Sequence, residues 1–235
     1  MARYGFQPHQ IQNLIYELKL VPNCTVASIF SHLVGSDDAQ FDSFTMNQID
    51  LFDTMSKQIM AEFPYPIMRH ILNSAGIERF RDYQFDMVRL GIGLYGISFV
   101  NPQACQPIST LKTFVSGIRD MENNASVGYS RKTILKRKSK IAVIPIGYAD
   151  GFNRKLSNGV GTVLIHGKEV PVVGNICMDA AMIDITDVPD VKLGDEVILF
   201  GKDLPVTKMA EKIGTIPYEV MTSIARRVKR VYVYE

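Results

Sequence analysis

The segment PIGYADGFNR, at residues 145–154, places a tyrosine where an ordinary turn residue would serve. Tyr148 follows a glycine, and the Asp150-Gly151 turn after it leaves room for a ligand. A phenol acts as an acid or a base when neighbouring positive charge lowers its pKa from about 10. Tyr148 is therefore a candidate acid–base residue. The alternative is a turn tyrosine whose ring packs on the preceding strand.

Polar residues also stand at the ends of apolar segments in the first half of the chain. Arg89 precedes a glycine in such a segment, and a charge buried there requires a partner. The Ser74 hydroxyl, beside Asn73, and the Gly91 amide are candidate donors to a phosphate, with a plain helix cap as the alternative. His32 is a candidate catalytic residue or a satisfied core histidine.

The elements that must position these residues alternate between helix and strand in the first half. Apolar spacing predicts a helix over 8–20 and a longer one over 42–63, with Asp42 or Ser43 as the N-cap and Pro64 as the stop. Short apolar runs predict buried strands within 24–35, 67–76 and 86–96. This order predicts parallel βαβ units, whose functional groups gather at the carboxyl ends of the strands.

The pattern changes after the proline-containing stretch 98–107. Short strands separated by turn signals predict an all-β unit, with turns at His166-Gly167-Lys168 and around Gly194. One helix, VTKMAEKIG, is predicted with Thr207 as its cap and Gly214 as its stop, and a last strand is predicted over 230–235. We therefore predict two domains, residues 1–104 of α/β type and residues 105–235 of all-β type.

Composition limits the classes of function. The 235 residues carry a net charge of +2, which argues against nucleic acid as a partner. The three cysteines form no paired motif, so neither a disulfide framework nor a metal site is predicted, and a reducing cytoplasm fits best. No apolar run approaches the roughly 18 residues of a membrane span, so no membrane contact is expected.

Taken together, the motifs resemble those of the alanine racemase family. They are MARYGF, IFSHL, LNSAG, VRLGIGLYG, VGYSRK, PIGYADGF, VVGNICMD and PYEVMTSIARRV, and they run through almost the whole chain. The resemblance implies an α/β plus all-β fold, in which the later part of a TIM-like (β/α) barrel precedes a β-barrel-like C-terminal domain. It also implies a pyridoxal 5'-phosphate enzyme that interconverts L- and D-alanine, works as a homodimer and supplies D-alanine for peptidoglycan.

The resemblance assigns roles to single residues. Tyr148 matches a base that acts on the cofactor of the other subunit, Arg89 matches the donor to the pyridine nitrogen, and His32 matches a residue between them. The positions that match the phosphate site are Ser74 with its neighbour Asn73, Gly91, Ile92 and Tyr218. The positions that match groups near the substrate carboxylate are Arg3 and Met178, with Cys177 and Asp179 in the same loop and Tyr129 near the site.

Three departures from the family pattern bear on activity. No lysine stands in a context like that of the lysine that binds the cofactor covalently, and Lys19, the first in the chain, lies on a predicted helix. Asn175 replaces an arginine common at the substrate entrance, and Ser130 replaces a glycine. We expect the C-terminal part of a longer racemase, inactive alone. A lysine-free module for binding or assembly and a racemase of another amino acid, such as serine, remain alternatives.

Overall fold

The computed structural model describes residues 1–233. The chain divides into two compact units, of which the first is Met1–Gln106 and the second begins at Pro107. Among the described residues, no helix is both long enough and apolar enough to cross a membrane. The two units differ in architecture, because the first is a helix-and-strand unit and the second is dominated by one antiparallel sheet. The predicted fold class is confirmed.

The first unit contains a parallel pair of strands with helices between and around them. Its elements are α1 (Ile11–Lys19), β1 (Ser28–Phe30), α2 (Asp42–Met60), β2 (Met68–His70) and α3 (Ser74–Arg79). Strands β1 and β2 pair in parallel, with Ser28 opposite Met68 and Phe30 opposite His70. The core behind them is a cluster of buried apolar residues: Leu33, Ile49, Phe52, Ile71, Leu72 and Phe80.

The strand predicted within 86–96 is wrong. Backbone N–H groups of Asp86 and Arg89 do donate to the carbonyls of Arg69 and Leu72, each at 3.0 Å. However, the Arg69 N–H donates to the side-chain carboxylate of Asp86 at 2.7 Å, whereas in a paired strand it would donate to a backbone carbonyl. The segment then turns into a 3₁₀ helix, Ile92–Tyr95, directly after Gly91.

The predicted helices are present, but their caps differ. A 3₁₀ turn, Ala39–Phe41, with Asp38 as its N-cap, leads directly into α2. Neither Asp42 nor Ser43 is therefore the N-cap of α2, and α2 ends at Met60. The N-cap of α4 (Val206–Ile213) is Pro205 rather than Thr207, because the helix already begins at Val206. Gly214 ends this helix in the left-handed conformation, as predicted.

The second unit is built around one seven-stranded antiparallel sheet. Its main sheet has the order β3-β11-β8-β9-β10-β7-β4. Those strands are β3 (Leu111–Phe114), β4 (Gly117–Met121), β7 (Ser139–Ile144), β8 (Thr162–Ile165), β9 (Lys168–Val173), β10 (Ala181–Asp184) and β11 (Glu196–Phe200). The first and last strands of the order, β3 and β4, are consecutive in the chain. The Val115 N–H donates to Asp195 O, which extends the pairing of β3 with β11, and the Ser116 N–H donates to Val143 O, which extends the pairing of β4 with β7.

Smaller elements complete the second unit. The strands β5 (Ser126–Val127) and β6 (Thr133–Ile134) form a short pair, and β8 and β9 form the predicted hairpin, with both His166 and Gly167 at positive φ. Helix α5 (Pro217–Ser223) was not predicted, although a proline in the first turn is a helix-start signal. Residues 230–233 form no strand, and the rest of the predicted strand 230–235 lies outside the described residues.

Candidate functional site

The guanidinium of Arg89 is the centre of a polar cluster in the first unit. Its Nη2 donates to the carbonyls of Ser31 at 2.6 Å and Ile71 at 3.2 Å, and its Nη1 donates to the carbonyl of His70 at 3.2 Å. These carbonyls follow or end the parallel strands β1 and β2, where the backbone has no further partner strand. Among residues 1–233, no carboxylate contacts this half-buried charge, so backbone dipoles, together with the face of the Phe30 ring 5.3 Å away, stabilise it.

Two imidazoles also contact Arg89. Nδ1 of His70 lies 2.5 Å from Nη1, and Nδ1 of His32 lies 3.3 Å from Nη2. Burial, followed by the charge of Arg89, lowers the pKa of both histidines below its usual range, and Arg3 lowers that of His32 further. Both rings are therefore neutral near pH 7 and can accept from the guanidinium.

A cradle of backbone amides lies in the same unit. The hydroxyl of Ser74, at the start of α3, accepts from the N–H of Gly91 at 3.0 Å and from that of Gly93 at 3.3 Å. Ser74 is buried, and the cradle contains backbone N–H groups and a hydroxyl but, in the described part of the chain, no contacting carboxylate. Converging donors of this kind bind anions such as phosphate.

The other candidates of the first unit have more ordinary surroundings. Asn73 is the N-cap of α3, since its Oδ1 accepts from the Gly76 N–H at 3.0 Å and from the Ser36 hydroxyl at 2.8 Å. Ile92 is buried at the start of its 3₁₀ turn, and Arg3 is exposed. Asn73 thus shapes the turn that holds Ser74 rather than presenting its own amide.

In the second unit, the turn that carries Tyr148 rests directly on the turn that carries Met178. The N–H groups of Tyr148 and Ala149 donate to the carbonyls of Cys177 and Met178, each at 3.0 Å. Gly147 permits this approach, because a Cβ at that position would lie 2.3 Å from both of those carbonyl oxygens. The side chains of Tyr148 and Met178 remain exposed, at 43% and 55%, on the same pair of turns.

Tyr129 lies on a strained loop. Its neighbours Ser130 and Arg131 have φ angles of 60° and 49°, which place two consecutive non-glycine residues in the left-handed region. The amide of the buried Asn175 donates to the Tyr129 carbonyl at 3.0 Å and accepts from the Asn158 amide at 3.0 Å. The Tyr129 side chain is 68% exposed. Strain maintained in this way is typical of functional positions.

The remaining candidates of the second unit lie on adjoining segments. Cys177 is half-buried, and its thiol lies 3.7 Å from the Asn175 carbonyl. Asp179 accepts from Arg227 at 2.5 Å, and Tyr218 lies in the first turn of α5 with 41% of its surface exposed. The side-chain amide of Asn175 is therefore engaged in hydrogen bonds inside the unit, whereas a residue that lines a channel would present its polar group to the channel.

No pattern in the sequence singled out His70, Asn158 or Arg227. His70 ends β2 just as Ser31 follows β1, so the strand-end reasoning that found His32 could have found it too. Asn158 and Arg227 carry no comparable local signal, because their partners Asn175 and Asp150 lie 17 and 77 residues away. Contacts of that separation are visible only in the folded chain.

Neither lysine of the first unit lies in the Arg89 cluster. Lys19 at the end of α1 forms an ion pair with Glu62, and Lys57 on α2 forms one with Asp53, both at 2.6 Å. Both ammonium groups are largely exposed. Neither is therefore poised to react with a ligand held beside Arg89 or Ser74.

Both parts of the chain match known family profiles. Residues 1–99 match the family described as alanine racemase, N-terminal domain, and residues 108–232 match alanine racemase, C-terminal domain. Among curated proteins, alanine racemase 2 of Caldanaerobacter subterraneus subsp. tengcongensis is 40% identical over 243 residues, which cover 100% of this chain and 62% of that protein. The alanine racemase of Halothermothrix orenii is 36% identical, with 99% and 63% covered.

Solved structures agree with this result. The structure of alanine racemase from Bartonella henselae with covalently bound pyridoxal phosphate matches with a TM-score of 0.85 and 34% identity, over 99% of this chain and 64% of that one. Alanine racemase from D-cycloserine-producing Streptomyces lavendulae matches with a TM-score of 0.91 and 29% identity, over 100% and 64%. The chain thus spans less than two thirds of the length of these relatives.

Proposed function

The chain belongs to the alanine racemase family, and we propose that it contributes most of the active site of a protein that interconverts L- and D-alanine. The observation that carries the proposal is the pairing of Arg89 with the Ser74 cradle in one unit. A guanidinium fixed by three carbonyls and flanked by two neutral imidazoles is an uncommon arrangement for a merely structural charge. A nearby group of anion donors indicates a phosphorylated ligand.

Pyridoxal 5'-phosphate fits the chemistry of these residues. Its phosphate matches the amides of Gly91 and Gly93 and the hydroxyl of Ser74, and its ring nitrogen matches the Arg89 guanidinium. The resemblance adds Ile92 and Tyr218 to the phosphate ligands, a role that stays a prediction. When bound, this cofactor supplies an electron sink for negative charge at the α-carbon of an amino acid.

Arg89 has a specific consequence for the ring nitrogen. Burial lowers the pKa of Arg89, but a guanidinium still keeps its protons near neutral pH, so it donates a hydrogen bond without transferring the proton. His32 and His70 reinforce this, because their lowered pKa values leave them as neutral acceptors that hold the guanidinium plane in place. We therefore expect an unprotonated ring nitrogen.

Two tyrosines are candidates for the phenol that moves a proton at the α-carbon. The resemblance assigned this role to Tyr148, which lies on the turn beside Met178. The strained backbone after Tyr129, maintained by the buried Asn175, supports Tyr129 at least as strongly, since strain of this kind persists where the surrounding fold imposes a geometry. Tyr→Phe substitution at each position, tested separately, identifies the base.

The substrate carboxylate needs a donor of its own. The resemblance assigns this task to Arg3 and the backbone amide of Met178, with Cys177 and Asp179 beside it. Arg3 is exposed, and its charge already acts on His32, which supports a position close to the Arg89 cluster. A guanidinium is suited to such bidentate binding of a carboxylate.

Catalysis by the whole protein requires a lysine that these 235 residues do not supply. Both lysines of the first unit are engaged in ion pairs, so we expect the chain by itself to be inactive. The exposed side chains of Tyr129, Tyr148 and Met178 support a homodimer in which they reach a partner. Three free cysteines fit a reducing cytoplasm.

The decisive experiment measures D-alanine formation from L-alanine by the protein as the cell makes it, with chiral chromatography as the readout. We expect turnover that requires added pyridoxal 5'-phosphate, and loss of turnover in Ser74→Ala through weaker cofactor binding. Arg81→Ala is the control, because Arg81 is exposed and outside the cluster. Cofactor binding without turnover would favour the lysine-free binding module, and faster turnover of serine than of alanine would favour the other racemase.

A further inference from the structure

Arg227 connects the two turns that carry Tyr148 and Met178. Its Nε donates to Oδ1 of Asp150 at 2.7 Å, and its Nη2 donates to Oδ1 of Asp179 at 2.5 Å. Asp150 lies two residues after Tyr148, and Asp179 lies next to Met178. One guanidinium therefore holds a carboxylate from each turn, and its planar fork fixes the direction of both contacts.

The Asp150 side chain has a second function within its own turn. Its Oδ2 accepts from the Gly147 N–H at 2.9 Å, which closes the turn around Tyr148. Only 14% of the Asp150 side chain is exposed, against 61% for Asp179 and 52% for Arg227. The contact with Asp150 is thus the more shielded of the two, and the contact with Asp179 is more open to solvent screening.

The segment that carries Arg227 is itself attached to the Tyr148 turn. The Ala225 N–H donates to the Asp150 carbonyl at 3.0 Å, and a Cβ at Gly151 would lie 2.6 Å from the Ser223 carbonyl. These contacts place the chain after α5 directly against the turn. Arg227 is therefore presented from a fixed backbone rather than from a loose tail.

We propose that Arg227 is a positioning residue that sets the separation of the Tyr148 and Met178 turns. Without its charge, the carboxylates of Asp150 and Asp179 would repel each other across the gap that the guanidinium now fills. The backbone bonds from Tyr148 and Ala149 to Cys177 and Met178 then open more often. The consequence for catalysis depends on the proposed racemase function, whereas the effect on the two turns does not.

Hydrogen exchange tests the structural part without any need for activity. In Arg227→Ala we expect the amides of Tyr148, Ala149 and Ala225 to exchange faster by about fivefold or more, because local opening becomes easier. Arg227→Lys should restore part of the protection through a single contact. The matched control is Arg226→Ala, because Arg226 is exposed and forms no side-chain hydrogen bond or ion pair within the described chain.

The two carboxylates give a second pair of variants that does not alter Arg227. Asp150→Asn should speed exchange of these amides more than Asp179→Asn does, because Asp150 is more shielded and also closes its own turn. Equal protection in Arg227→Ala and the unmutated protein would overturn the proposal. So would an equal loss of protection in Arg226→Ala, since the effect would then not be specific to Arg227.

Kinetics of the protein as the cell makes it test the functional part. For Arg227→Ala we expect kcat to fall by about tenfold with a smaller change in KM and unchanged cofactor content, since Arg227 touches neither ligand. Arg227→Lys should recover part of kcat. Faster exchange with unaltered kcat would overturn the positioning role in catalysis, whereas absence of turnover in the unmutated protein would refute the proposed function and leave the exchange result standing.

Discussion

In the first unit, backbone carbonyls hold a charged side chain; in the second, a charged side chain holds two backbone turns. Arg89 is seated at the ends of β1 and β2, where the parallel ladder stops. Arg227 instead joins carboxylates on two turns of the second unit. The difference follows from topology, since the end of a parallel pair presents carbonyls that a guanidinium can contact, whereas the turns of an antiparallel sheet are joined by groups outside the ladder.

The edges of the sheets show the same difference. In the second unit, five of the seven strands of the main sheet have a partner on both sides, and within the described residues only β3 and β4 lie at its edges. In the first unit, the two-stranded sheet leaves Phe30 65% and Met68 44% exposed. We therefore expect the two units to respond differently to changes in backbone packing, in charge and in pH.

Gly147→Ala should have the largest effect on the second unit. Its new Cβ would meet two backbone oxygens at 2.3 Å, which cannot move like a flexible side chain, so we expect a loss of unfolding free energy of about 3 kcal/mol or more. The control is Gly117→Ala, where the nearest atoms lie at 3.8 Å. Urea denaturation measures both, and equal stability of the two variants would contradict the close approach of the turns.

Arg89→Ala should be the most damaging charge change in the first unit. It removes the Arg89 donors to the carbonyls of Ser31 and Ile71 and one of two donors to that of His70, which still accepts from the Ser31 N–H. We expect this loss to cost about 1–3 kcal/mol of unfolding free energy. Arg89→Lys should retain part of that stability. Denaturation followed by far-ultraviolet circular dichroism reports the loss, and Arg81→Ala should show none.

Asn175→Ala should have a smaller effect, of about 1–2 kcal/mol, because it removes one donor to the Tyr129 carbonyl and one acceptor for the Asn158 amide. Asn175→Asp, which keeps an acceptor but loses the donor, should be no more stable than Asn175→Ala. Thermal unfolding compares them with Asn123→Ala, at an exposed position. Stability of Asn175→Asp equal to the unmutated protein would refute the donor role.

The smallest effect should appear in the pH dependence. The lowered pKa values of His32 and His70 mean that unfolded chains bind protons more readily, so the first unit should lose stability as the pH falls from about 7 through 6. In the second unit, hydrogen bonds from Lys192 and His166 lower the pKa of Asp195, so that contribution persists until the pH falls below about 4. Replacing both His32 and His70 by Gln should flatten the profile between pH 7 and 5.

Local sequence signals predicted much of this fold. Apolar spacing located α1 and α2, the stop signal at Gly214 located α4, and the turn signal at His166-Gly167-Lys168 located the hairpin of β8 and β9. The predictions at 86–96 and at the cap of α2 are wrong for one reason, because a contact or a preceding turn that is absent from the local pattern takes over the backbone group, as the Asp86 carboxylate does at Arg69. The cap of α4 differs because that helix already begins at Val206, and residues 230–233 do not form the predicted strand.

The sequence by itself determined the family, the two classes of architecture and the residue types of the site, because motifs such as GYADGF and VRLGIGLYG are local and specific. Only the tertiary structure decided which groups hold these site residues in place. His70 against Arg89, Asn175 against Tyr129 and Arg227 against Asp150 are pairs separated by 19, 46 and 77 residues. Periodicity and turn signals extend over a few residues, so contacts of this separation arise only when the chain has folded.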